Sequence, residues 1–341
     1  RAAAPAGELR VRKPVTALTA GARRRLVRAI LLLKRAPSPW DSRWSWYDNF
    51  VWWHRQAFAC TVDQAHMRPA FLPWHRQFLF MFESALREVS GDRTVTLPYW
   101  DWTDPAATRA VFRADLMGPD GDRRAGWAVT AGAFRRGRWR FEVVDPKAND
   151  PLRLRYLTRH IGSWKGVPHL PTRGQVLAAL TRHDYDAAPW SAASDPAASF
   201  RNDLEGWRGE VGMRCAKGLM SPVSGHPPGP HLLHNGVHLW VGGELGPAND
   251  GAGGTMTLNT SPNDPVFWLH HANVDRLWDR WQQIHGARYL PVEAPGLPRG
   301  QNLRQPMWPW RQSGLMVTPA DVQDARAMGY AYARAPAARG G

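Results

Sequence analysis

The sequence predicts a mainly α-helical fold: a four-helix bundle with ligand-bearing side chains turned inward, long loops and a few short strands. Three observations carry that expectation. Apolar residues recur at helical spacing over Trp46 to Phe58, about Trp74 to Val89, and the stretch ending at Trp281. Histidines fall among the aromatic residues of these segments, as ligands in a bundle core do. The stretches between them are rich in Gly and Pro and show no repeat at a solenoid period. With 341 residues, 43% hydrophobic and 11% aromatic, the chain can bury a substantial core and is read as a single domain over 1–341.

In chain order, residues 1–13 read as an extended arm rich in Ala, Gly and Arg. Thr16-Ala-Leu-Thr19 opens a helix running to about Lys34, and Pro37 and Pro39 end it. The helix from Trp46 carries His54 near its middle. A loop from His66 leads to Pro73, ahead of the helix from about Trp74, with His75 in its first turn. Residues 104–150 lack long periodicity and read as surface connection, with a short strand at Trp139–Val144. Helices are expected at Arg173–Leu180, at Ser199–Trp207 and over 231–241, with an irregular insertion between Gly209 and Pro230. A Gly-rich loop at 242–255 and the proline turns of Ser261–Pro265 precede the last long helix. The tail from 286 to 320 is broken by prolines. It ends in a short helix, Pro319–Met328, and then Tyr330-Ala-Tyr332.

His271 lies on the apolar stripe of that last long helix. For one such histidine the ordinary reading is a core side chain bonded to a carbonyl. His234 and His238 change the reading, because four residues apart on a helix they share one face, a familiar metal chelate. With His54, His66 and His75 they make two trios of imidazoles. Such a trio suits zinc, copper, nickel or iron, and a single trio is most often a zinc site. Two all-histidine trios on adjacent helices point to a metal pair, and the lack of Glu-x-x-His favours copper over di-iron.

A net charge of +15 raises nucleic-acid binding as a possibility to test. The arginines are spread along the chain with no helix-turn-helix, zinc-finger or RNA-binding signature, so no specific nucleic-acid partner is expected. No window reaches the apolar length of a membrane span. The two cysteines, Cys60 and Cys215, are too few for a disulfide framework; one long-range bridge between them would suit an exported protein, and two buried thiols are the alternative. The chain begins at Arg and not Met, as if an N-terminal segment had been removed or left out; a secreted protein is expected, with a cytoplasmic one as the alternative.

Four segments resemble the copper-binding signatures of the type-3 copper proteins, the family of tyrosinases, catechol oxidases and haemocyanins. They are HMRPAFLPWHR at 66–76, LPYWDW at 97–102, LHNGVH at 233–238 and SPNDPVFWLHHANVDRLW at 261–278. The similarity covers about residues 40–285 and its wording is nearest the bacterial tyrosinases. The resemblance implies two copper ions, one held by His54, His66 and His75 and the other by His234, His238 and His271, with O2 bound between them. It implies ortho-hydroxylation of small phenolic substrates and oxidation of o-diphenols to o-quinones. An oxidase restricted to o-diphenols or o-aminophenols is the near alternative, and a haemocyanin-like oxygen carrier the remote one.

By the same resemblance Glu205 and Asn235 hold a water that deprotonates the phenol, although Glu205 stands further ahead of His234 than is usual in the family. His270 matches a non-ligand histidine, and Phe267 an aromatic packed on a ligand ring. Leu239 stands where some bacterial relatives carry Arg, and Met256 or Leu258 would overhang the first copper as a gate. The spacing of Cys60 and His66 does not match the family's thioether, so none is expected, and a Cys60–Cys215 disulfide is expected instead. Residues 317–332 resemble the segment that closes the catalytic domain in plant-type members. No shielding domain follows it here, so a site open to substrate is expected. A copper-delivering chaperone is a further partner the family suggests.

Overall fold

The computed structural model describes residues 9–58, 65–147, 150–206, 213–216, 219–222, 232–246, 252–310 and 314–333. Residues Val15–Ala17 form a 3-10 turn before helix α1, Ala20–Leu33. Thr19 caps α1 by accepting the Ala22 N–H, so the helix starts later than Thr16. Leu26, Ala29, Ile30 and Leu33 bury one face of α1, which packs on the long helix Phe71–Ser90. Helix α2, Trp46–Ala57, is capped by Ser45 and buries Phe50, Val51, Trp53 and His54.

Helix α3, Phe71–Ser90, begins three residues earlier than the proline signal indicated. Pro73 thus lies inside its first turn, where the missing N–H would have had no intrahelical partner. Short helices α4 (Pro105–Val111), α5 (Arg173–Leu180) and α6 (Phe200–Glu205) follow. Strands β2 (Met213–Ala216) and β3 (Leu219–Pro222) form an antiparallel ribbon within the expected insertion. Helix α7 is His234–Gly242 and helix α8 is Val266–His285.

The expected strand at Trp139–Val144 is absent. Trp139, Phe141 and Val143 do alternate inward and are buried. Their polar groups, however, meet scattered partners and no neighbouring strand: Trp139 Nε1 donates to Asn263 O, the Phe141 N–H to Arg155 O, and Asn263 Nδ2 to Val143 O. The helix expected at Pro319–Met328 is a 3-10 turn, Pro319–Val322. Asp324 ends it by accepting the Arg326 and Ala327 N–H groups in a local turn.

Helices α2, α3, α7 and α8 surround the histidines. Phe82 and Trp268 stack at 3.5 Å between ring centroids and 3°, fastening α3 to α8, while Phe50 meets both Phe78 and Trp268 from α2. The two ends of the described chain are tied to the same pair of long helices. Strand β1, Arg10–Arg12, pairs in parallel with strand β4, Tyr330–Tyr332. Asp275 of α8 is the hub of that tie. Its carboxylate accepts from Arg76 at 2.6 Å, Arg12 at 3.2 Å, Tyr330 at 2.7 Å and Tyr332 at 2.6 Å. Arg12 also lies 3.9 Å from the centroid of the Tyr330 ring. No helix among the described residues is long and apolar enough to cross a membrane.

Candidate metal centre

The six histidines expected as ligands converge as two trios. His54 comes from α2, His66 from the loop before α3, and His75 from the first turns of α3. Their rings lie 4.9 Å (His54–His66), 5.2 Å (His66–His75) and 5.8 Å (His54–His75) apart. His234 and His238 project from one face of α7 toward His271 of α8, with Nε2 atoms 3.2 and 3.3 Å from His271 Nε2. In each cluster one nitrogen per residue lies within 4.8 Å of the others. The trios share a wall: the His75 and His271 rings stack at 4.3 Å and 14°.

Backbone carbonyls orient four of the rings. His54 Nδ1 faces Asn259 O at 2.7 Å, His75 Nδ1 faces Phe71 O at 2.9 Å, and His238 Nδ1 faces Met256 O at 2.8 Å. His234 Nδ1 faces Glu205 O at 3.3 Å. A carbonyl only accepts, so each Nδ1 carries the proton and each Nε2 keeps its lone pair for a metal. His75 Nε2 is buried and meets no partner among the described residues. Burial holds the imidazoles neutral, pushing His66 down to about 3 and His238 to about 4. His54, His75, His234 and His271 lie well below the usual range for the same reason. Neutral, pre-oriented imidazoles of this kind are ready metal ligands, and the donor set is nitrogen alone.

Glu205 ends α6, and Gly206 caps the helix in the left-handed conformation, φ 94°. A Cβ at Gly206 would stand 3.2 Å from Leu233 N and 3.5 Å from Asn235 Cβ, so this glycine allows α6 to abut the start of α7. The main chain of Glu205 and Gly206 is thereby brought against His234 and Asn235 despite the long intervening segment. Glu205 is fully buried, not the solvated helix end its position at a terminus would allow. Its Oε1 accepts the Met67 N–H at 2.5 Å and its Oε2 accepts from Arg201 Nη1 at 3.0 Å. Met67 follows His66 and is held at φ 58°, a left-handed conformation costly for a side chain of its size. Arg201 is itself gripped by both oxygens of Asp186.

Phe267 packs on the His271 ring at 4.1 Å and on His54 at 5.0 Å, as expected. Phe58 stacks on His66 at 3.8 Å. Of the three expected gate residues, Leu239 and Leu258 are half-buried, whereas the Met256 side chain is 1% exposed and belongs to the core. Met256 meets the site through its carbonyl. Cys60 and the side chain of Cys215 lie outside the described residues, and with them the expected disulfide. The sequence reading missed Arg201, Met67 and the carbonyls of Asn259 and Met256. An Arg four residues before Glu205 on one helix was the only available signal among these.

The family described as "Common central domain of tyrosinase" matches residues 45–284, the span that holds both trios. The chain belongs to the tyrosinase family. It is 40% identical to the tyrosinase of Streptomyces glaucescens over 323 residues, covering 92% of this chain and 96% of that protein. It is also 35% identical to the grixazone synthase of Streptomyces griseus, with 92% and 96% covered. Among solved structures, a polyphenol oxidase of Thermothelomyces thermophila superposes with a TM-score of 0.54 at 26% identity, covering 85% of this chain and 73% of that one. The two imidazole trios fit the copper pair of the family, and the protein is a copper-dependent oxidase of phenols that uses O2.

Proposed function

We propose that this chain, as a single catalytic domain, hydroxylates monophenols ortho to the hydroxyl and oxidises o-diphenols to o-quinones. In this reading His54, His66 and His75 hold one copper and His234, His238 and His271 the other. The copper pair supplies oxygen activation and the acceptance of two electrons from the phenol. The observation that supports the monophenol step is a buried Glu205 carboxylate bonded to the N–H of Met67, the residue after His66, on a helix whose last carbonyl faces His234 Nδ1. In this reading the Glu205 carboxylate and the Asn235 amide hold a water and draw the phenolic proton through it, so that the substrate arrives as phenolate. Arg201 and the Met67 N–H fix the carboxylate's rotamer, which preserves that geometry between turnovers. Phe267 offers an aromatic wall to the substrate ring, with Leu239 and Leu258 as the adjustable rim. For a monophenol the sum is phenol plus O2 giving o-quinone and water.

A second reading, an o-aminophenol oxidase with little monophenolase activity, is favoured by the likeness to grixazone synthase. Progress curves on tyramine, catechol and o-aminophenol separate the two. Product from tyramine after a lag supports the first reading, and product from catechol and o-aminophenol alone supports the second. Turnover of any of them excludes an oxygen carrier. Export from the cell and delivery of copper by a separate chaperone complete the proposal. Fractionation of the source cells tests the first, and reconstitution of the purified copper-free chain with free copper tests the second.

A further inference from the structure

The second cluster contains a fourth imidazole. The His270 ring lies 5.0 Å from His234 and within 13° of parallel to it, 4.7 Å from His238 and 4.9 Å from His271. One of its nitrogens falls within the same 4.8 Å limit as those of His234, His238 and His271, whereas the first cluster has three members among the described residues. Its other neighbour is Trp102, 5.2 Å away. The side chain is fully buried, and neither ring nitrogen meets a donor or acceptor among the described residues. With no partner among the described residues, the ring gives up hydration that Leu or Phe, filling comparable space, would not lose. A buried imidazole retained at this cost beside three metal-ready nitrogens needs a task.

We propose that His270 is a transit ligand for the second copper. It lends a nitrogen while the ion exchanges its incoming ligands for His234, His238 and His271, and withdraws once those three have closed. Each exchange replaces one water or nitrogen donor by another and leaves the oxidation state of the ion unchanged. The benefit is kinetic, since the ion is never left short of ligands in a dehydrated pocket. The inference rests on the assignment of the other three histidines as the permanent ligands.

The test compares His270→Leu with His270→Met, near-equal in volume, of which the thioether alone can bind copper(I). The copper-free full chain is supplied anaerobically with copper(I) in a weak chelator buffer, and bound metal is counted over time after a strong-chelator quench. The expected result is a second-copper uptake roughly tenfold slower in the Leu variant and within about twofold of native in the Met variant. Both should reach the native end-point of two ions per chain with first-copper uptake unchanged. Native-rate loading of the Leu variant, equal slowing of both variants, or an end-point of one copper in the Leu variant would each overturn the proposal. A native chain that holds fewer than two coppers even when isolated from copper-supplied source cells would instead overturn the ligand assignment beneath it.

Discussion

Replacing Glu205 by Gln separates the two tasks that meet at this carboxylate. In the native chain Oε1 holds the Met67 N–H and Oε2 holds Arg201. Gln keeps an oxygen for Met67 but turns its NH2 group toward the guanidinium. Arg201 retains the bidentate grip of Asp186, so the buried charge is not orphaned. The loss is therefore one charge-assisted hydrogen bond, about 1.5–3 kcal/mol, and not the roughly 3–5 kcal/mol of a broken buried pair. Urea unfolding of the copper-free chain measures it. The amide cannot take a proton from water, so kcat/KM for tyramine should fall by about 100-fold, the lower end of what a general base contributes. Catechol, which both readings accept, should slow by no more than about threefold. Equal slowing of the two substrates would refute the proton-transfer role and leave Glu205 as a strut for the His66 turn.

Other perturbations read other parts of the structure. His271→Ala should abolish catechol turnover and lower bound copper while circular dichroism stays native; retained turnover would remove His271 from the site. Asp275→Asn should cost about 3–5 kcal/mol, because Arg12 and Arg76 are both buried against this carboxylate. A change below about 1 kcal/mol in urea unfolding would contradict the hub role. Asp145 gives a pH signature. Burial pushes its carboxyl up to about 6 despite Arg55 at 3.3 Å. The folded chain binds this proton more tightly than the unfolded chain, whose Asp titrates near 3.9. The contribution is thus full below about pH 4 and is lost as pH rises through about 6. Asp145→Asn should raise stability at pH 8 by up to about 3 kcal/mol and leave it unchanged near pH 4; destabilisation at pH 8 would contradict this.

Much of the site was legible before the fold was. His234 and His238 announce themselves by their spacing, and the long helices by aromatic periodicity around His54, His75 and His271. The remainder depends on contacts that spacing does not encode. Trp139–Val144 alternates as a strand does, but its backbone partners are scattered atoms of Arg135, Arg155 and Asn263 and not a neighbouring strand. Glu205 looked too distant from His234 until Gly206 let α6 and α7 touch. The groups that fix the ring tautomers are main-chain oxygens of Asn259, Met256, Phe71 and Glu205, and any residue type supplies the same oxygen. Whether the Arg201–Glu205 pair faces solvent or core also depends on elements the helix itself does not specify.

In the proposed site six imidazoles hold two copper ions close enough to share one small oxygen ligand. Metal analysis of the purified chain, combined with its absorption spectrum on adding hydrogen peroxide, tests it most directly. Two coppers per chain and a strong near-ultraviolet band are expected. A single copper, or two coppers with no such band, would contradict it.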